Sequence, residues 1–249
     1  MKPEKREDLY RIYWYDADIT GTVKASAICN YLQESAWRHA VDLGFGFYEM
    51  RGKKQVWVIV SFVVKMEALP QWGEKIRVET WPRKIDRFIA MRDFRIYSDK
   101  HMKLGAATSS WMVLNLDSRR PCKLDDLEII AGNHISSDNA LGEDAPLLKS
   151  EGGLEKVLEH TVQYSEIDHN GHVNNTRYID WCYNSIPSDF HRKKRFETLT
   201  INYLSEVKEE EKIEINRKEL PGERYSFEGA RRVSGKQVFR AEISWLDRK

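Results

Sequence analysis

Residues 164–178 read Tyr164-Ser-Glu-Ile-Asp168-His-Asn170-Gly-His172-Val-Asn-Asn-Thr-Arg-Tyr178. Asp168, Asn170 and His172 crowd around one glycine. Asp168 is a base, Asn170 carries both a donor and an acceptor, and His172 exchanges a proton near neutral pH. Gly171 permits a turn that few other residues tolerate. Asn174 and Asn175 are favourable helix caps, so the cluster is expected at the mouth of a helix, where free backbone N–H groups favour negative charge. That set suits chemistry passing through an oxyanion. Two blander readings stand beside it. Asn-Gly-His is also an ordinary polar turn, and Asp168, His169 and His172 are all potential metal ligands.

Working outward, residues 155–164 read as a strand and Tyr178, Trp181 and Cys182 fall in a helical run. Strands are expected at 196–203, 212–216, 225–233 and 237–245. The last alternates Phe239, Ala241, Ile243 and Trp245 against Arg240, Glu242 and Ser244. A strand, a turn, a helix and then strands describe an antiparallel sheet wrapped on one helix.

The first half follows the same plan. A strand at 9–15 leads into the turn Asp18-Ile-Thr-Gly-Thr-Val23. Ile28, Leu32, Ala36, Ala40 and Leu43 then form one apolar helical face, with Gly44 as its stop. Strands are expected at 56–66, 74–81, 87–97 and 104–116. Residues 118–151, rich in Pro, Gly and polar side chains, read as a connection with a short helical piece near 124–130. The halves are set at 1–132 and 133–249.

At a common offset of 150 residues, Asp18 falls on Asp168, Gly21 on Gly171 and Val23 on Val173. Lys75-Ile-Arg-Val78 resembles Lys212-Ile-Glu-Ile215, and Trp111 can be placed on Trp245. This reads as a duplication. Where the second copy has Asn170 and His172, the first has Thr20 and Thr22. Threonine cannot shuttle a proton near neutral pH. The first copy is therefore expected to be chemically silent and free to serve as a binding wall.

Lysine and arginine total 40 against 39 acidic residues, a net charge of +1 that gives no field for nucleic acid or a membrane surface. The longest apolar run, 56–64, is too short to span a bilayer. The charged N-terminus suggests neither a signal nor a transit peptide. Cys29, Cys122 and Cys182 form no pair motif, which fits a reducing cytoplasm.

The Asp168–Tyr178 stretch resembles the signature of the acyl-ACP thioesterases, enzymes that release fatty acids from acyl carrier protein (ACP). The resemblance covers essentially the whole chain. It implies an α+β tandem double hot-dog fold, two antiparallel sheets each wrapped on a long helix. Thr200-Ile-Asn-Tyr-Leu-Ser-Glu206-Val207 matches a second family segment. Many members carry a cysteine after that glutamate. Val207 stands there in this chain, which weighs against a thiol mechanism and leaves Glu206 as base. The absence of a transit peptide points to a bacterial-type member.

The resemblance further implies hydrolysis of acyl-ACP without metal or cofactor. Glu206 would activate water, Asn170 would place it or polarise the carbonyl, and His172 would orient it and carry the proton to the leaving thiol. Asp168 would hold the turn and share the base role. Backbone N–H groups of Val173 or Asn174 would help form the oxyanion hole. Trp37, Phe45, Phe47 and Trp57 are candidates to line an acyl slot. The basic run Arg192-Lys193-Lys194-Arg195 lies in sequence between the helix and the Glu206 strand. It is expected near the thioester entrance, where it would dock the acidic carrier. Outer sheet edges offer a route to a homodimer. The alternatives are an acyl-CoA thioesterase of hot-dog type and a non-catalytic acyl-thioester sensor.

Overall fold

The computed structural model describes residues 4–124 and 135–248. The chain divides into two compact units, Met1–Ala145 and Pro146–Lys249. The short helix expected near 124–130 and the boundary set at 132/133 lie, but for Leu124, outside the described residues.

The first unit holds β1 (Arg6–Arg11), α1 (Ala25–Leu43), α2 (Phe47–Gly52), β2 (Gln55–Met66), β3 (Lys75–Asp86), β4 (Ile89–Ser98) and β5 (Lys103–Asn115). Its strands pair in the order β1-β3-β4-β5-β2, antiparallel throughout. α1 buries Ile28, Leu32, Ala36 and Leu43, the face read from their spacing. Gly44 ends it in the left-handed conformation at φ 88°, and its N–H caps the last turn. Ser35 and His39 are buried on the same face, so the space beneath α1 is apolar with polar insertions.

The second unit repeats the order. It holds β6 (Glu155–Thr161), α3 (Arg177–Asn184), α4 (Ser188–Lys193), β7 (Lys194–Tyr203), β8 (Lys212–Leu220), β9 (Arg224–Arg231) and β10 (Gln237–Asp247), paired as β6-β8-β9-β10-β7. Phe239, Ala241, Ile243 and Trp245 of β10 are buried, as their alternation predicts. The helix differs from the expected long one. α3 has 8 residues against 19 in α1. Pro187 accounts for this: it lacks an N–H, and it drives the residue before it out of helical conformation.

The backbone ladders make the duplication explicit. Val23 N–H donates to Pro70 O, as Val173 N–H does to Val207 O, each at 2.9 Å. Ile12 N–H donates to Glu74 O, as Val162 N–H does to Glu211 O. Gly73 N–H returns to Ile12 O, as Glu210 N–H returns to Val162 O. Trp111 pairs with Ile59 and Trp245 with Phe196, each beside a bulge. The loops after β2 and β7 therefore correspond at an offset of 137, the offset that separates Lys75 from Lys212. Leu69 occupies the place of Glu206.

Candidate active site

The site is built on the turn between β6 and α3. A 3-10 turn, Tyr164–Glu166, opens it. The Glu166 carboxylate accepts hydrogen bonds from Gln163 N–H (2.8 Å), His160 Nε2 (2.7 Å) and Trp181 Nε1 (2.7 Å). Burial pushes that carboxyl up, but these three donors outweigh burial and hold it below the usual range. Its backbone carbonyl accepts the Asn174 N–H at 2.9 Å. Asp16 and Tyr31 do the same work in the first unit: Tyr31 Oη donates to Asp16 at 2.6 Å, and Asp16 O accepts the Lys24 N–H.

A bridge between Ile167 and Val173 closes the tight turn around 168–172. Asp168 N–H donates to His172 O (2.8 Å), and Gly171 N–H donates to Asp168 O (3.0 Å). Asp168 Oδ1 accepts the Asn170 N–H at 2.8 Å, so the carboxylate spends one oxygen shaping the turn. Gly171 sits at φ 77°, where a Cβ would be strained. Asn170 is exposed at the tip. Thr176, rather than Asn174 or Asn175, stands at the N-cap of α3, and Asn174 shapes the turn before it: its Oδ1 accepts from Thr176 N–H (3.0 Å) and Oγ1 (2.8 Å).

The hydrogen bond from Val173 to Val207 ties this turn to the loop after β7, which carries Glu206. His172 Nε2 stands 3.3 Å from Glu206 Oε2, both side chains half-buried. Residues 34 positions apart in sequence thus form a contact pair of a carboxylate and an imidazole. Tyr178 lies buried behind them, and burial pushes its phenol well above its usual range, so it stays protonated. Cys182 is buried in α3 with its thiol likewise pushed up, which removes it as a nucleophile.

Two expectations are corrected by this geometry. The Val173 and Asn174 N–H groups are both consumed by backbone carbonyls, of Val207 and Glu166, and neither is available to an oxyanion. The basic run is at the wrong end of the unit. Lys194 opens the ten-residue strand β7, and Glu206 follows its close. At the usual rise of a strand that is about 30 Å. Lys194 is moreover held by Glu223 (2.5 Å) and Asp247 (2.9 Å), at the β8–β9 end of the sheet. Arg192 lies 3.9 Å from Asp189, and Lys193 is exposed on α4. Adjacency in sequence misled because the helix and the strand each lead away from the site.

In the first unit, Phe45 is buried with Leu43, Met50, Val113 and Leu124, and Trp57 packs against this cluster. Trp57 Nε1 donates to Phe45 O at 3.0 Å. Phe47 stacks edge-on with Tyr48, while Trp37 is exposed on α1. Among the described residues no group of three or more His, Cys, Asp and Glu converges to hold a metal ion. Sequence reasoning missed Arg231 and Glu211, which brace the Glu206 loop, because nothing in their spacing relates them to it. It also missed Glu166, which the Gln-x-x-Glu capping pattern from Gln163 would have flagged.

The sequence model of the acyl-ACP thioesterase N-terminal domain matches residues 3–132, and that of the C-terminal domain matches residues 150–247. The chain belongs to the acyl-ACP thioesterase family. A chloroplastic oleoyl-acyl carrier protein thioesterase of Coriandrum sativum is 29% identical, over 80% of this chain and 58% of the relative. A chloroplastic palmitoyl-acyl carrier protein thioesterase of Gossypium hirsutum is 31% identical, over 79% of this chain and 50% of the relative. The chain thus spans between half and three-fifths of the length of these relatives. A solved acyl-ACP thioesterase from Bacteroides thetaiotaomicron is 25% identical with a TM-score of 0.91, covering 98% of each chain. The 12:0-ACP thioesterase of Umbellularia californica shares the fold, at 22% identity and a TM-score of 0.86, over 100% of this chain and 99% of that one. The expected α+β hot-dog architecture is therefore the one found.

Proposed function

We propose that the protein hydrolyses fatty acyl-ACP to a free fatty acid and the carrier thiol. The observation that carries this reading is the 3.3 Å pairing of His172 with Glu206, made in only one of two otherwise matching turns. The other turn has Thr22 and Leu69 at the corresponding places. Glu206 and His172 together take a proton from water, whose oxygen bonds to the thioester carbonyl carbon. The Asn170 carboxamide donates to the oxyanion as it forms. Collapse breaks the carbon–sulfur bond, and the leaving thiolate takes its proton from His172. Asp168 holds the turn through the Asn170 N–H, which makes Glu206 the principal base.

The first unit, without these groups, is read as the wall for the acyl chain, through Trp37, Phe45, Phe47 and Trp57. A reducing, cytoplasmic setting fits three cysteines that are all free. No helix among the described residues is long and apolar enough to cross a membrane. The test is thiol release from purified protein with acyl-ACP and acyl-CoA of several chain lengths. Turnover on acyl-ACP well above acyl-CoA supports the reading. Preference for acyl-CoA makes it a CoA thioesterase, and binding without release makes it a sensor.

A further inference from the structure

Arg231 closes β9, and its three side-chain nitrogens reach three different acceptors. Nε donates to Glu211 Oε2 (2.6 Å), Nη1 to Ser205 Oγ (3.0 Å), and Nη2 to the backbone carbonyl of Glu206. Holding that carbonyl fixes the peptide plane after Glu206, and with it the direction in which the side chain leaves the backbone. The Glu206 carboxylate is left to face His172.

Comparison with the silent copy separates this clamp from the general architecture. Arg232 N–H donates to Lys212 O, as Asp99 N–H does to Lys75 O. Arg231 N–H donates to Lys236 O, as Ser98 N–H does to Met102 O. Arg231 therefore corresponds to Ser98, which is too short to reach three acceptors. Glu211, by contrast, has a counterpart in Glu74. Glu211 Oε1 accepts the Lys208 N–H (3.3 Å), and Glu74 Oε2 accepts the Gln71 N–H (2.8 Å). The glutamate that shapes the loop belongs to the fold in both copies. The arginine occurs only where a glutamate must be aimed at a histidine.

We propose that Arg231 is a positioning residue for the hydrolysis, acting through Glu206 by fixing the backbone that aims its carboxylate; this rests on the hydrolase reading above. The planar guanidinium is required, because the three acceptors are met by three separate nitrogens of a rigid fork, a spread that the one nitrogen of an ammonium does not cover. The test compares Arg231→Ala and Arg231→Lys, alone and in a Glu206→Gln background, with Arg232→Ala as control. Arg232 pairs with Glu159 at the surface. Thiol release from acyl-ACP is measured across substrate concentrations, together with amide hydrogen exchange at residues 204–208.

Arg231→Ala is expected to lower kcat about a hundredfold with KM nearly unchanged, the cost of a misplaced catalytic group. Lysine is expected not to rescue it. In the Glu206→Gln background the same change costs nothing further, since both act through one carboxylate. Exchange at 204–208 rises, and Arg232→Ala behaves as wild type. Near-normal kcat in Arg231→Ala or Arg231→Lys overturns the proposal, as does an equal loss in the Glu206→Gln background. If Arg231→Ala does not fold, Arg231→Lys decides. A wild type that releases no thiol overturns the hydrolase reading before any variant is compared. The exchange measurement then decides the clamp alone, and unchanged protection overturns it.

Discussion

His172 and Glu206 are half-buried and meet through a single contact, so neither is a pillar of the core. Removing either is expected to affect chemistry far more than folding. His172→Ala and Glu206→Gln should each lower kcat on acyl-ACP by about a hundredfold or more, with Tm within a few degrees of wild type. Steady-state kinetics beside a thermal melt checks this, and a folded His172→Ala protein with near-normal turnover removes it from the mechanism. At this scale legibility followed contiguity. Asp168, Asn170 and His172 were readable because one turn holds them all. Glu206 is one of several acids between 206 and 214, and only the family resemblance distinguished it. The Val173 and Asn174 amides were misjudged because the pairing of an N–H depends on a distant carbonyl, Val207 for one, that local sequence does not reveal.

The elements that present the site are held by two devices with separate tests. The first is Glu166, which joins the 3-10 turn, β6 and α3 through Gln163, His160 and Trp181. Its folded-state pKa is depressed below its ordinary carboxylate value, because the hydrogen-bond donors outweigh burial. Its stabilisation is therefore complete above that value and is lost as pH falls through the folded pKa. The Tm difference between wild type and Glu166→Gln should be largest near neutral pH and shrink in acid; a difference independent of pH would remove the charge from the account. The second device is Gly229 on β9. A Cβ there would lie 2.1 Å from Phe239 Cε1, inside the ring's own volume. Gly229→Ala should cost about 1–3 kcal/mol by overpacking, read from denaturant unfolding. The alternation of β10 and the apolar face of α1 were legible because one-sided burial writes a period into the sequence. The brevity of α3 was overlooked although Pro187 was in plain view. The location of the basic run was not legible, since strand direction relative to the site emerges only from sheet pairing.

Across the whole molecule, one plan is used twice and only one copy is equipped. Both copies keep the turn glycine at positive φ, the hydrogen bond from the valine N–H and the loop glutamate, Gly21 with Val23 and Glu74 in one, Gly171 with Val173 and Glu211 in the other. Among the groups placed at the site, the copies differ by Thr20 for Asn170, Thr22 for His172, Leu69 for Glu206 and Ser98 for Arg231. The first two were visible from a simple offset of 150. The last two were not, because the second copy's helix is shorter, and the offset falls to 137 at Leu69 and Glu206 and to 133 at Ser98 and Arg231; the match of Lys75 to Lys212 carries the first shift, and only the backbone ladder shows the second. This division makes a sharp prediction about restoring activity. Placing Thr20→Asn and Thr22→His in a His172→Ala protein rebuilds the sequence signature in the first copy. It does not rebuild the pair, because Leu69 offers no carboxylate for the new imidazole and Ser98 cannot brace one. Thiol release from acyl-ACP by this triple variant is expected to stay at the level of His172→Ala alone. Recovery would mean that the motif suffices wherever the turn is present, and that Glu206 is dispensable.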